Sequence, residues 1–136
     1  MFAIDVEVRF SAAHALMIMG RREPLHGHDF LVRARVVGAA LDDDGLLVDF
    51  HALHADLEAI IRPFHNANLN EQAPFDRINP SAERLAEHIC MELSRALETR
   101  LAREPKKDRP RGVRVESVYV TEAPGCAAIF SPAPRS

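Results

Sequence analysis

The chain has 136 residues, 47% of them hydrophobic and 27% charged, with a net charge of −3. That length fits one domain, residues 1–136, and the acidic balance, with two lysines among 17 basic residues, excludes a nucleic-acid surface as the leading expectation. No run of about 18 apolar residues could span a membrane, and Met1 opens no signal-peptide pattern, so a cytoplasmic, reduced protein is expected.

Phe2, Ile4, Val6, Val8 and Phe10 alternate with Ala3, Asp5, Glu7 and Arg9. This period of two predicts a half-buried strand over residues 2–10. A second alternation runs through Phe30, Val32, Ala34 and Val36, and "DDDGLL" then marks a turn. Asp49 reads as the N-cap of a helix over residues 50–62, with Phe50, Leu53, Leu57, Ile60 and Ile61 at helical spacing and Pro63 as its stop. Asn79-Pro80 predicts a cap and first-turn proline before a longer helix. Its stripe is Leu85, Ile89, Leu93, Leu97 and Leu101, widened by Ala82, Ala86 and Cys90.

Residues 103–111 hold five basic and two acidic side chains, a local +3 that reads as a solvated loop. "VRVESVYVTE" predicts a third strand, "GCAAIF" a short fourth, and "SPAPRS" a frayed tail. The order ββααββ predicts an α+β fold, a four-stranded antiparallel sheet with both helices on one face. Cys90 and Cys126 form neither a C-x-x-C pair nor a disulfide framework.

The stretch "LHGHDF" carries the chemistry. Side chains two apart on a strand share a face, so His26 and His28 extend the row of Phe30 and Val32. On the first strand Phe10, Ala12 and His14 continue the core-facing row in the same way. If the two strands pair antiparallel, three imidazoles converge at one end of the sheet. Three neutral imidazoles suit zinc and leave a fourth position for water or substrate. His51, His54 and His88 fall on helices and read as surface or packing residues.

The pieces "FSAAHAL", "LHGHDF", "LLVDFHALHADL", "NLNE", "NPSAERLAEHI" and "VTEAPGCAAIF" resemble the 6-pyruvoyl-tetrahydropterin synthase family, which includes the 6-carboxytetrahydropterin synthases. The resemblance implies a tunnelling fold (T-fold) in which subunits join their sheets, commonly as a homohexamer of two stacked trimers. It implies zinc on His14, His26 and His28, a dihydropterin substrate anchored by Glu122, and Ser81 among the substrate-binding residues. A carboxylate suits that anchor because it can accept parallel hydrogen bonds from the amino group and ring N–H of a pterin.

The chain departs from the family at two places. Arg22 occupies the position of the usual base, a cysteine, and Glu23 stands beside it, three residues before His26. That arrangement resembles a branch in which glutamate replaces cysteine and the dihydroneopterin side chain is cleaved to 6-hydroxymethyl-7,8-dihydropterin. The family's Asp-His pair is also altered. Registered on Leu69-Asn70 it becomes His65-Asn66; registered on His65, the aspartate becomes Phe64. The expected catalytic residues are therefore Glu23, as base, and His65, as a proton shuttle lacking its carboxylate partner. The alternatives are a 6-carboxy- or 6-pyruvoyl-tetrahydropterin synthase and a pterin-binding protein without turnover.

Overall fold

The computed structural model describes residues 1–105 and 110–134. Residues 106–109, within the charged loop expected over 103–111, and residues 135–136, at the end of the expected tail, lie outside the described residues.

The first alternating stretch forms β1 (Phe2–His14) and the second forms β4 (His26–Gly38), each longer than the apolar pattern that announced it. Between them lies a small hairpin of β2 (Met17–Ile18) and β3 (Arg21–Arg22). β1 and β4 pair antiparallel without interruption, from Phe2 opposite Gly38 to His14 opposite His26. Phe10 meets Phe30 in this register, and their rings stack with centroids 4.8 Å apart.

The "DDDGLL" turn closes through Asp42, whose carboxylate accepts the N–H groups of Asp44 and Leu46, while Gly45 takes the positive φ of 78°. Asp49 caps α1 (Phe50–Ile61) by accepting the His51 N–H. Pro63 ends α1 as expected, inside a 3-10 turn over Arg62–Phe64. The long helix, α2 (Ala82–Ala102), starts later than the sequence predicted. Its N-cap is Ser81, whose hydroxyl accepts the Arg84 N–H, so Asn79 and Pro80 precede the helix and serve elsewhere.

The main sheet has five strands rather than four, in the order β5 (Ala67–Asn68), β1, β4, β6 (Arg114–Ala123), β7 (Cys126–Phe130). The addition is β5, a two-residue strand parallel to β1, too short for any periodicity to reveal. β6 and β7 complete the sheet by antiparallel pairing. Both helices cover one face: α1 packs on β1 and α2, and α2 packs on β6 and β7. Leu53, Leu57, Leu85, Ile89 and Leu93 meet Phe10, Phe30, Val32, Val36 and Val118 in the core between them. The opposite face carries cross-strand ion pairs, Asp5 with Arg35 and Glu7 with Arg33, and Arg33 also lies over the Tyr119 ring.

One irregularity matters for the site. Ser117 faces Arg35 and Val115 faces Val36, so Glu116 is an extra residue in β6. The bulge reverses the strand's parity: Val115 is buried before it, Val118 and Val120 after it. Glu122, two residues beyond Val120 and itself at a second shift in register against β7, faces the helix-covered side beside His14 and His28.

Candidate metal and pterin site

The antiparallel register brings His14 and His26 side by side, with His28 two residues along β4 on the same face. Ring centroids are 4.7 Å apart for His14 and His26, 5.1 Å for His14 and His28, and 4.8 Å for His26 and His28. Phe30 is the floor under this cluster, edge-on to His14 and His28. The strand parity read from the sequence thus brings the three imidazoles together.

Hydrogen bonding fixes two of the three tautomers. His14 Nδ1 lies 2.8 Å from the Pro80 carbonyl and His26 Nδ1 lies 2.9 Å from the Pro24 carbonyl. A carbonyl can only accept, so both Nδ1 atoms are donors, and a neutral ring then carries its free lone pair on Nε2. Backbone partners of this kind are what orient metal-binding histidines. Within the cluster, His14 Nε2 and His28 Nε2 are buried with no hydrogen-bond partner. Burial lowers the pKa of His28 below its ordinary value, a shift the Glu122 carboxylate partly opposes, and His14 and His26 push it lower again. A buried imidazole nitrogen without a hydrogen-bond partner could serve as a metal ligand. The three residues offer ligand atoms within 4.8 Å of one another, and the donor set fits a divalent transition metal with an open coordination position.

Two carboxylates flank the cluster. Glu122 Oε1 is 3.7 Å from His14 Nε2, and Glu122 Oε2 is 4.0 Å from His28 Nε2. Glu23 Oε1 is 3.6 Å from His26 Nε2 and accepts the Leu16 N–H at 2.9 Å. Both are partly buried, with side chains 27% and 28% exposed. A cleft of about 520 Å³ runs along the neighbouring strand ends, lined by Ser11, Gly27, His28, Asp29, Asn66 and Asn68 among others.

The remaining expected residues lie apart from the cluster. His65 sits at the outer edge of β1, where its Nδ1 accepts the Ser11 N–H at 3.2 Å. Ser81 is engaged as the cap of α2, directly after the carbonyl that holds His14. Neither cysteine stands in for the missing one. Cys90 is fully buried in α2, with burial pushing its thiol up to about 11, and Cys126 is exposed at the start of β7. Arg22 is exposed on β3. Of the other histidines, His51 is exposed, His54 bonds the Glu7 carbonyl, and His88 packs between Phe64 and Phe75.

Sequence reasoning missed two asparagines close to the site. The Asn70 side chain bonds both the N–H and the carbonyl of Ala15, and the Asn79 side chain does the same for Met17. The only signals are the "NLNE" and "NPSAERLAEHI" motifs, and the second predicts a helix cap at Asn79.

The sequence profile of the 6-pyruvoyl tetrahydropterin synthase family matches residues 3–133. A 6-carboxy-5,6,7,8-tetrahydropterin synthase of Bacillus subtilis is 28% identical over 137 aligned residues, covering 96% of this chain and 86% of the relative. The 6-pyruvoyl tetrahydropterin synthase of Caenorhabditis elegans superposes with a TM-score of 0.78 at 16% identity, covering 97% of this chain and 96% of that one. A Plasmodium vivax 6-pyruvoyltetrahydropterin synthase, solved with a catalytic glutamate changed to alanine, superposes with a TM-score of 0.66 at 20% identity, covering 96% and 98%.

Proposed function

We propose, from the premise that this chain belongs to the 6-pyruvoyl tetrahydropterin synthase family, that it is a zinc-dependent lyase acting on 7,8-dihydroneopterin or its phosphates. The product is 6-hydroxymethyl-7,8-dihydropterin. The observation that carries this reading is the position of Glu23: a carboxylate 3.6 Å from the Nε2 of His26, a member of the histidine cluster. The catalytic glutamate of the Plasmodium vivax relative supports it as a precedent within the fold.

His14, His26 and His28 would hold the metal, and zinc, when bound, supplies Lewis-acid polarisation of the substrate's side-chain oxygens. Glu122 binds the pterin ring by accepting from its amino group and ring N–H. Glu23 removes the proton from the second side-chain hydroxyl. The carbon–oxygen double bond forms there, the bond between the first and second side-chain carbons breaks, and its electron pair passes into the N5–C6 imine of the ring. A proton then returns to the first side-chain carbon. The Leu16 N–H, donating to Glu23 Oε1 at 2.9 Å, orients the carboxylate for that proton transfer. His65, which accepts the Ser11 N–H beside the 520 Å³ cleft, is assigned as a secondary proton carrier, and Ser81, next to the Pro80 carbonyl that holds His14, as a substrate-binding residue. The working assembly of this reading is a homohexamer.

A second reading, a 6-carboxytetrahydropterin synthase, is favoured by the near full-length similarity to the Bacillus subtilis enzyme. Incubation of the zinc-loaded protein with dihydroneopterin triphosphate, followed by chromatographic resolution of the pterins, tests both. 6-Hydroxymethyl-7,8-dihydropterin supports the lyase, a carboxy- or pyruvoyl-pterin supports the synthase, and tight binding with no product leaves a silent binder.

A further inference from the structure

We infer that Asn70 and Asn79 are positioning residues that hold Glu23 at the metal cluster through the three-residue segment 15–17. The inference rests on the reading of Glu23 as the base. β1 ends at His14, and residues 15 and 16 lie between it and β2, outside the main ladder. Their backbone groups, and those of Met17 on this side, are paired nonetheless. Asn70 Oδ1 accepts the Ala15 N–H at 2.8 Å, and Asn70 Nδ2 donates to the Ala15 carbonyl at 2.8 Å. Asn79 Oδ1 accepts the Met17 N–H at 2.8 Å, and Asn79 Nδ2 donates to the Met17 carbonyl at 3.0 Å. Leu16, between them, donates to Glu23 Oε1 at 2.9 Å and accepts the Glu23 N–H at 2.9 Å.

Six backbone groups of three residues are therefore satisfied by two side-chain amides and one glutamate. A side-chain amide presents one acceptor and one donor side by side, as the peptide of a neighbouring strand would. The two asparagines replace a strand where none fits. They are themselves anchored in the body of the protein. Asn70 N–H donates to the Asn68 side chain in the 3-10 turn Leu69–Glu71. The Asn79 carbonyl accepts the Ser81 N–H, and the next carbonyl, that of Pro80, takes His14 Nδ1. The Asn79-Pro80 segment just before α2 thus holds His14 directly, and holds the base through Asn79 and segment 15–17.

Met17 and Asn79 are exposed, so their paired bonds compete with water and the clamp is separable from the core. If it opens, Leu16 swings and Glu23 loses the hydrogen bond that orients its carboxylate, while His14 and His26 keep their own carbonyl partners.

Asn79→Ala in the zinc-loaded full chain is the test, read by amide hydrogen exchange and by kinetics. Exchange at Leu16 should accelerate about tenfold, as expected for losing a hydrogen bond's worth of protection, although the bonding groups of Leu16 itself are unaltered. Core amides such as those of Val32 and Ile89 should not change. The kcat on the dihydropterin substrate should fall about tenfold or more with KM near wild type, and in a Glu23→Gln background Asn79→Ala should cost nothing further. Asn79→Asp, which keeps the acceptor for Met17, should show a smaller effect of the same sign and guards against a misfolded alanine variant. Unchanged exchange at Leu16, or a kcat loss that persists in full in the Glu23→Gln background, would overturn the inference. If wild-type protein turns over no dihydropterin, the lyase reading fails on its own account, and exchange at Leu16 alone decides whether the clamp positions Glu23.

Discussion

Glu122 faces His14 across 3.7 Å, its carboxylate oxygen set against a buried imidazole nitrogen that has no hydrogen-bond partner. The two residues come from strands separated by β4, so only the folded sheet brings them together. The contact separates two roles for this carboxylate, pterin anchor and fourth metal ligand. As an anchor, Glu122→Gln keeps the shape but turns one acceptor into a donor facing the ligand's own donors. Pterin affinity should fall roughly tenfold or more, since an unsatisfied, partly buried group costs about 1–3 kcal/mol. Zinc content should be unchanged. Titration calorimetry with a pterin and elemental analysis of the same samples check this; lost zinc with retained pterin affinity would make Glu122 a ligand instead.

The metal assignment makes a stricter demand. His26→Ala and His28→Ala should each reduce zinc from one ion per subunit to near none after dialysis, because two imidazoles and water hold zinc poorly. Zinc should also raise the thermal midpoint of the wild-type protein, as binding to the folded state alone requires. Full occupancy in both variants would remove the triad from the site.

Glu23→Gln should retain zinc and pterin binding while losing turnover by about 10²–10⁴-fold, the usual worth of a general base. Its side-chain oxygen can still accept the Leu16 N–H, so the segment should stay in place and the loss should fall on kcat. Glu23→Cys should not produce synthase activity, because the family's cysteine belongs one residue earlier, where Arg22 stands. A Glu23→Gln enzyme with wild-type kcat would exclude this residue as the base.

His88 carries a pH dependence into stability. Burial between Phe64 and Phe75 lowers its pKa from the usual 6.5; Glu92 opposes the shift and Arg95 adds to it. The unfolded chain therefore binds this proton more readily than the folded one. Stability should be lost as pH falls from about 6.5 through the lower folded value, and the loss should level off below it. His28 contributes in the same direction in metal-free protein. Urea unfolding of metal-free wild type and His88→Gln between pH 7.5 and about 5 isolates the His88 share as a difference in slope. Parallel curves would show that His88 titrates alike in both states.

The sequence by itself determined the four longer strands, the two helices and the convergence of His14, His26 and His28, because each is a local or short-period property. Alternation along a strand dictates which side chains share a face, so His14, His26 and His28 were legible once the two strands were paired. The family motifs added Glu122 and Glu23. What only the tertiary structure decided depends on contacts distant in sequence. The bulge at Glu116 reverses the parity of β6 ahead of Glu122, and it exists only in the pairing of β6 with β4. The short parallel strand β5 has no period to read. Asn79 looked like a helix cap because asparagine before proline commonly is one, yet Ser81 caps α2 and Asn79 reaches 62 residues back to Met17. A side-chain amide can pair with any exposed peptide, so its sequence neighbours could not say which peptide it would find. The packing of α2 against the sheet chose that partner, by setting Asn79 beside the segment that leads from His14 to Glu23.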